Sequence, residues 1–214
     1  MKKLAIYGAG GMGRSVAWLA ESLKDQWDLV CFIEDDPSFK GQTMHGIPVM
    51  DIASAALAFP DIAVVSSIGS PRDREASMVK VQAAGLSIGT LIHPETKMSR
   101  WVDIGKGTVI CAGCTLTTEV RIGRNVQINL RCTIGHDTAY EDYATLAPGV
   151  HVNGHVHLGK RVYVGTGAVF VNGSEKNPIV IGDDTIIGAG AVVTRSLSGG
   201  TWGGVPAKPL RKRR

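Results

Sequence analysis

The sequence has few aromatic residues and no long apolar segment. Its 214 residues include 4 Trp, 4 Tyr and 4 Phe. The apolar run at residues 4–7 ends at Gly8, too early for the hydrophobic region of a secretory signal, which needs roughly 7–15 residues. No apolar stretch approaches the roughly 18 residues of a transmembrane helix. We therefore expect a cytoplasmic protein that contacts no membrane.

Cysteine is scarce and the net charge is small. Without an export signal, the four cysteines (Cys31, Cys111, Cys114 and Cys132) are expected to be reduced thiols. The net charge of +4 equals the charge of the four basic residues at 211–214. The charge pattern therefore gives no reason to expect nucleic-acid binding. Glycine, with 27 residues, is abundant and indicates many tight turns.

Residues 1–92 alternate short apolar runs with helical patterns. Runs bounded by turn residues are typical of buried parallel strands, and they lie at 4–7, 29–33, 62–66 and 87–92. Helical spacing lies between them at 12–24 and 72–84, the second after Ser70 and Pro71. The pattern predicts an α/β, Rossmann-like domain with a parallel sheet over residues 1–92.

A six-residue period begins near residue 102. Every sixth residue from Ile104 to Phe170 is large and apolar, and the residue two before each is small or β-branched. The phase slips at 172–178 and resumes at Ile181. This period predicts a solenoid of short strands and turns. The segment resembles the left-handed parallel β-helix of hexapeptide-repeat acyltransferases, in which three hexapeptides complete a coil and residues 18 apart stack. We assign 93–195 to this β-helix and 196–214 to a C-terminal extension with a basic tail.

A glycine-rich loop and an acidic cluster are candidates for nucleotide binding. Glycines at 8, 10, 11 and 13 follow the first strand and open a helix, where backbone N–H groups can face a phosphate. Glu34, Asp35 and Asp36 close the second predicted strand and could accept hydrogen bonds from a ribose or base. A nucleotide site without redox chemistry, a purely structural turn and an NAD site remain open at this point.

Two further patterns suggest metals but have structural explanations. Cys111 and Cys114 have CxxC spacing, yet the repeat places Cys114 and Cys132 inside the solenoid, where free cysteine acts as a small apolar residue. The histidines at 151, 155 and 157 cluster in sequence, but the register directs them outward on two faces. A metal requires converging ligands, so we expect no metal site.

His136 and Asp137 form the strongest catalytic candidate. His136 follows the inward Ile134 by two residues, which places its ring outward at a coil corner. An imidazole can act there as a general base, oriented by the adjacent carboxylate. Stacking predicts Gly154 above the ring and Thr118 below it, with room for substrate beside it.

The chain as a whole resembles the NeuD-type sugar acyltransferases, especially bacterial nucleotide-aminosugar N-acetyltransferases. The resemblance rests on Ile68-Gly69, on Asn129 seven residues before His136, and on longer segments along the chain. These segments are IYGAGG at 6–11 with Gly13, FIEDDP at 32–37, HGIPV at 45–49, APG at 147–149, IGAGAVV at 187–193 and GVPAK at 204–208.

The resemblance implies roles for individual residues. It implies His136 as base, with Asp137 and Asn129 as its partners. For the nucleotide-linked sugar it implies Gly10, Gly11 and Met12 at the phosphates, Glu34 and Asp35 at the base or ribose, and Gly69 in the same cleft. For acetyl-CoA it implies Thr145, Gly154, Thr166 and Ala189. Thr145 stands where the family often has a second histidine.

The resemblance also implies the activity and the assembly. It implies an N-acetyltransferase for a nucleotide-linked amino sugar, such as a 4-amino-4,6-dideoxy sugar, in the synthesis of surface glycans or glycoproteins. Acetyl-CoA is the co-substrate, no cofactor is tightly bound, and active sites lie at the interfaces of a homotrimer. The alternatives are an O-acetyltransferase for a sialic-acid-type sugar, a non-catalytic hexapeptide scaffold and a zinc lyase.

Overall fold

The N-terminal part is a parallel sheet covered by helices on both faces. The computed structural model describes residues 1–39 and 41–210, so the basic tail at 211–214 lies outside the described residues. The sheet has the order β3–β4–β2–β1–β5–β6, and only the β3–β4 pair is antiparallel. Its strands are β1 (Lys2–Tyr7), β2 (Trp27–Ile33), β3 (Thr43–Met44), β4 (Ile47–Met50), β5 (Ala63–Ser66) and β6 (Ser87–Ile88).

Three helices cover this sheet. Helix α1 (Gly11–Glu21) packs on one face, and α2 (Ile52–Ala58) and α3 (Pro71–Ala83) pack on the other. The sequence patterns predicted α1 and α3 but not α2, which is short and begins where the Asp51 side chain accepts a hydrogen bond from the Ser54 N–H at 2.7 Å. Within the described part of the chain, no helix has the length and apolar character needed to cross a membrane.

The strand predicted at 87–92 is in fact divided between two domains. β6 pairs with β5, whereas β7 (Leu91–Ile92) pairs with a strand of the following solenoid. Gly89 lies between them, and a Cβ there would be 3.2 Å from Cγ1 of Val65. The missing side chain lets the backbone cross closely over the sheet edge as it leaves. The solenoid therefore begins at Leu91 rather than at residue 93.

The remaining strands form the three faces of a left-handed parallel β-helix. The first face contains β7, β10 (Val109–Ile110), β13 (Gln127–Ile128), β16 (Thr145–Leu146), β19 (Tyr163–Val164) and β22 (Ile186–Ile187). The second face contains β8 (Lys97–Met98), β11 (Thr115–Leu116), β14 (Thr133–Ile134), β17 (His151–Val152), β20 (Val169–Phe170) and β23 (Val192–Val193). The third contains β9 (Val102–Ile104), β12 (Val120–Ile122), β15 (Thr138–Tyr140), β18 (Val156–Leu158) and β21 (Ile179–Ile181).

The six-residue pattern describes the interior of this β-helix. From Ile110 to Phe170 the large apolar positions are buried, and the small positions alternate with them inside the bore. Strand pairing joins Ile110 to Ile128 and Ile128 to Leu146, which confirms the 18-residue stacking. After the irregular segment at 172–178 the pairing joins Leu158 to Ile181, because five additional residues are accommodated at one corner.

The coil corners contain residues in the left-handed backbone region. Asp137 has a φ of 54° and His155, one coil further on, has a φ of 56°. At the first of these corners Thr138, which follows Asp137, is buried in the bore, whereas the His136 and Asp137 side chains are about half exposed. The candidate His136 and its neighbour Asp137 are therefore presented on the outer surface by the same repeat that fills the core.

The predicted C-terminal extension is partly a continuation of the solenoid. β24 (Thr201–Gly203) pairs in parallel with β22, and β25 (Lys208–Pro209) pairs antiparallel with β24. Leu197 forms an isolated bridge to Ile181. These contacts close the end of the β-helix, so residues 196–210 are not a separate appendage.

Candidate active site

His136 and Asp137 form a hydrogen-bonded pair at the corner between the second and third faces. Nδ1 of His136 lies 2.7 Å from Oδ2 of Asp137. The two side chains are 52% and 47% exposed. An ionised carboxylate can only accept, so Nδ1 of His136 donates this bond. In the neutral ring Nε2 then carries the lone pair, which is the arrangement that a general base requires.

Gly154 provides the surface against which the His136 ring lies. Gly154 is one coil above His136, as predicted, and its N–H donates to Oδ1 of Asn172 at 2.8 Å. A Cβ on Gly154 would lie 2.5 Å from Cε1 and 2.7 Å from Nε2 of His136. The His136 ring therefore occupies the space where a side chain at position 154 would lie, and this space is not open to a ligand. Gly154 supports His136, and its assignment as an acetyl-CoA contact is corrected.

His155 lies beside this pair, stacked on Asp137. Its N–H donates to the His136 carbonyl oxygen at 3.1 Å, and its Nε2 is 3.8 Å from Oδ2 of Asp137. The two imidazole rings meet edge to face with centroids 5.3 Å apart. A groove of about 760 Å³ borders this cluster on the third face, and its lining includes Glu119, Arg121 and Glu175.

The glycine-rich loop lies at the carboxyl ends of the parallel strands. Gly8 has a φ of 107°, which favours glycine, and a Cβ on Gly13 would overlap the Gly8 carbonyl oxygen. These two glycines are therefore needed for the turn itself. Gly10 and Gly11, by contrast, are exposed with no atom near their missing Cβ positions, apart from the Arg14 side chain at Gly11. Helix α1 begins at Gly11, so free backbone N–H groups face the solvent there.

Glu34 and Asp35 are already engaged in contacts within the protein. Glu34 accepts from the Ala9 N–H at 2.9 Å and the Asp35 N–H at 3.2 Å, which ties the end of β2 to the glycine-rich loop. Asp35 accepts from the Tyr7 hydroxyl and the Lys80 ammonium, each at 2.7 Å. Burial opposes ionisation of Asp35, but the bonds from Lys80 and Tyr7 dominate and lower its pKa. Both carboxylates order the edge of a cleft beside the glycine-rich loop.

Arg74 joins this cleft to the β-helix and was not predicted. It lies on α3 and is 1% exposed. Its guanidinium donates to the Ile68 carbonyl at 2.8 Å in the N-terminal domain. In the β-helix it donates to the Asn125 carbonyl at 2.9 Å and the Tyr143 carbonyl at 2.6 Å. Burial lowers the pKa of Arg74 to about 9, which leaves it charged near neutral pH. A polar residue in a helical pattern gives no sequence signal for such a role.

Thr145 belongs to the same domain junction and not to a ligand site. Its side chain is buried, donates to the Gly69 carbonyl at 3.1 Å, and accepts from Nη2 of Arg74 at 2.9 Å. No side-chain surface remains for acetyl-CoA, so that assignment of Thr145 is corrected. Gly69 is exposed and is held in place by Thr145 and Arg74.

Comparisons with known proteins identify the family of this chain. A family model described as the PglD N-terminal domain matches residues 3–81. GDP-perosamine N-acetyltransferase from Escherichia coli O157:H7 is 31% identical over 187 residues, which cover 85% of this chain and 84% of that protein. The chain belongs to the hexapeptide-repeat sugar acetyltransferases.

Solved structures extend the likeness over the full fold. WeeI from Acinetobacter baumannii AYE has 31% identity and a TM-score of 0.91, covering 98% of this chain and 100% of that one. PerB from Caulobacter crescentus, solved with CoA and GDP-perosamine, has 29% identity and a TM-score of 0.85, covering 97% of each chain. The expected family, fold class and enzyme class are confirmed.

In this sugar acetyltransferase fold, three further predicted site residues of the β-helix lie at a different corner from His136. Thr166 and Ala189 are exposed on successive coils between the first and second faces, where the Gly190 N–H donates to the Thr166 carbonyl at 2.9 Å. Asn129 is at the same corner. Its carbonyl accepts from the Cys114 thiol at 3.0 Å. A single chain therefore does not bring Asn129 to His136.

The remaining sequence candidates for metal or redox chemistry are the cysteines and the clustered histidines. Cys111, Cys114 and Cys132 are buried with Cys31 as free thiols, and burial raises the pKa of Cys111 to about 12. Of the three clustered histidines, His151 contacts Oγ1 of Thr133 at 2.8 Å on the second face. Only His155 among those three joins the described His136–Asp137 cluster.

Proposed function

We propose that this protein transfers the acetyl group of acetyl-CoA to the amino group of a nucleotide-linked amino sugar, such as a 4-amino-4,6-dideoxy sugar. The observation that carries the proposal is the exposed His136–Asp137 pair, whose 2.7 Å hydrogen bond leaves Nε2 of His136 as the acceptor. The names of relatives support the substrate class, since the Escherichia coli protein is a GDP-perosamine N-acetyltransferase and PerB was solved with GDP-perosamine.

The chemistry is a direct attack on the thioester. The sugar nitrogen forms a bond to the thioester carbonyl carbon while Nε2 of His136 takes a proton from that nitrogen. The resulting tetrahedral oxyanion collapses, the carbon–sulfur bond breaks, and the proton passes from His136 to the CoA thiolate. Asp137 holds the ring by Nδ1 and stabilises the imidazolium that forms between these steps. No metal takes part in these steps.

The N-terminal domain supplies the nucleotide site. Gly10, Gly11 and Met12 at the start of α1 offer backbone N–H groups to the phosphates. Glu34 and Asp35 shape the adjoining edge, and Gly69 lines the cleft through a backbone fixed by Arg74. Because Arg74 also bonds the Asn125 and Tyr143 carbonyls, it holds this cleft against the β-helix.

Acetyl-CoA binding at a seam between subunits explains why the site residues occupy two corners. His136 lies between the second and third faces, while Asn129, Thr166 and Ala189 lie between the first and second. Two β-helices packed side by side bring different corners together, and a closed homotrimer repeats the seam three times. Exposed apolar side chains on the β-helix, including Trp101 at 52% and Ile186 at 45%, fit such contacts.

Release of CoA thiol from acetyl-CoA tests the proposal. The acceptors tested are 4-amino and 3-amino nucleotide sugars. A sialic acid and nucleotide sugars that carry only hydroxyl groups are tested in parallel for comparison. We expect release only with an amino sugar, and His136→Ala should lower kcat at least about 10²-fold. His45→Ala, which removes an exposed imidazole in the N-terminal domain, is the control.

Two of the alternatives predict different outcomes in this assay. Release with hydroxyl acceptors alone would support the O-acetyltransferase, and no release with any acceptor would support the scaffold. Near-normal turnover of His136→Ala, with the oligomer intact by light scattering, would refute the assignment of the base.

A further inference from the structure

Three potential metal ligands meet at the catalytic corner. One ring nitrogen each from His136 and His155 and one carboxylate oxygen of Asp137 all lie within 4.8 Å of one another. The register explains the meeting, because His155 stacks one coil above Asp137 and both adopt left-handed corner conformations. Two imidazoles and a carboxylate are a donor set that suits Zn²⁺.

The distances are close to those of a zinc site. Bonds of about 2.0–2.2 Å in a tetrahedron separate the ligand atoms by roughly 3.3 Å. Here Nδ1 of His136 and Oδ2 of Asp137 are 2.7 Å apart, and Oδ2 of Asp137 and Nε2 of His155 are 3.8 Å apart. Small side-chain rotations would lengthen the 2.7 Å distance and shorten the 3.8 Å distance to the separation of zinc ligands. The side chains of His136 and Asp137 are about half exposed, so the surrounding packing leaves room for such rotations.

The electrostatic setting favours a cation. Glu119 and Glu175 line the groove that borders the cluster, together with Asp103. Arg121 opposes them with a single positive charge in the same lining. The three carboxylates and Asp137 outnumber the arginine, and the open groove leaves a fourth coordination position for water.

We propose that His136, Asp137 and His155 bind one Zn²⁺ ion per chain and that this ion inhibits acetyl transfer. The inhibitory effect rests on the proposed function, whereas the binding does not. A neutral imidazole has a single lone pair. Once the metal takes it from His136, through either nitrogen, the ring cannot accept the proton of the sugar amine. Zinc therefore removes the base by direct ligation.

Titration of chelator-treated protein with ZnCl₂ in an isothermal calorimeter tests the binding. We expect one ion per chain for the unmodified protein. His155→Asn should weaken the affinity at least about tenfold, and His136→Ala should weaken it similarly, since each removes one of three ligands. His151→Asn is the matched control, because it makes the same change at an exposed histidine on the second face, outside the lining of the groove, and it should leave the affinity within about twofold.

Acetyl transfer measured over the same ZnCl₂ range tests the inhibition. CoA release should fall with the concentration dependence of the calorimetric binding, and EDTA should restore it. His155→Asn should shift the inhibition curve to higher zinc concentration by the same factor as its loss of affinity.

The outcomes separate the two proposals. No stoichiometric binding, or equal weakening by His151→Asn and His155→Asn, would overturn the metal site. Stoichiometric binding that leaves CoA release unchanged would support the metal site and refute His136 as the base.

Discussion

Replacing Gly154 by alanine changes the position of the His136 ring without removing any catalytic atom. The added Cβ would lie 2.5 Å from Cε1 of His136, where ordinary contact begins at 3.4 Å. Gly154 does not lie in the left-handed backbone region, so alanine fits its backbone. The ring, which is half exposed, must therefore move by about 0.9 Å, and this movement displaces Nε2 of His136.

The expected effect is large for catalysis and small for folding. A displacement of about 1 Å at a reacting group can cost roughly 10²-fold in rate, which corresponds to about 2.7 kcal/mol in the activation barrier. Replacement of glycine at a compatible backbone position changes the free energy of unfolding by under about 1 kcal/mol. We expect kcat to fall by about this factor, with little change in the KM for acetyl-CoA and in Tm.

Steady-state CoA release and thermal unfolding provide the measurements. Gly182→Ala is the control, because its Cβ would be 3.4 Å or more from its neighbours, far from His136 in the fold. In a His136→Ala background, Gly154→Ala should add little further loss, since the two act through the same ring. A Gly154→Ala enzyme with kcat within about threefold of the unmodified enzyme would refute the reasoning. It would also be refuted if Gly154→Ala lowered kcat by the same factor in the His136→Ala enzyme as in the unmodified enzyme.

Two predictions concern stability. Arg74→Met should lower the free energy of unfolding by about 3 kcal/mol or more, because it leaves several buried carbonyl acceptors without their donor. Arg72→Met on the same helix removes an arginine that is 72% exposed and should cost under about 1 kcal/mol in a denaturant titration, so equal losses would contradict the role of Arg74. Asp142 is partly buried, but its bonds from Arg124 dominate and lower its pKa, so this carboxylate stabilises the fold above about pH 4 and the contribution is lost at lower pH. Asp142→Asn should therefore reduce the free energy of unfolding by up to about 1 kcal/mol near pH 6, and the two proteins should converge once the pH falls below the lowered pKa of Asp142; a difference independent of pH would refute this.

The repeating part of the fold could be predicted well because its physics is local. Each hexapeptide places one large and one small side chain in the bore, so positions such as Ile128 and Val126 identify the interior without knowledge of distant contacts. The same rule placed His136 outside at a corner and Gly154 one coil above it. The repeat could not show that the His136 ring lies against Gly154, since this contact depends on the rotamer of the His136 side chain.

The junction between the domains could not be predicted because nothing repeats there. Arg74 is a single polar residue in helix α3, and its acceptors at Asn125 and Tyr143 are backbone carbonyls, which no residue type reveals. Thr145 was assigned to acetyl-CoA because it stands where the family often has a second histidine, although the packing of the N-terminal domain buries it here. The division of the strand predicted at 87–92 was missed for the same reason. Within this segment the chain leaves the N-terminal sheet and joins the first face of the β-helix.

Arg74 bonds two successive coils and thereby fixes the height of the N-terminal domain along the β-helix axis. Asn125 belongs to one coil and Tyr143 to the next, and His136 lies between them along the chain. Coils of a parallel β-helix are spaced by about 4.8 Å, so heights along its axis come in steps of that size. The Ile68 carbonyl, which also accepts from Arg74, is thereby held at one height along that axis. A coil inserted or deleted between Asn125 and Tyr143 would move one of their carbonyls by a whole step, out of hydrogen-bond reach of the Arg74 guanidinium.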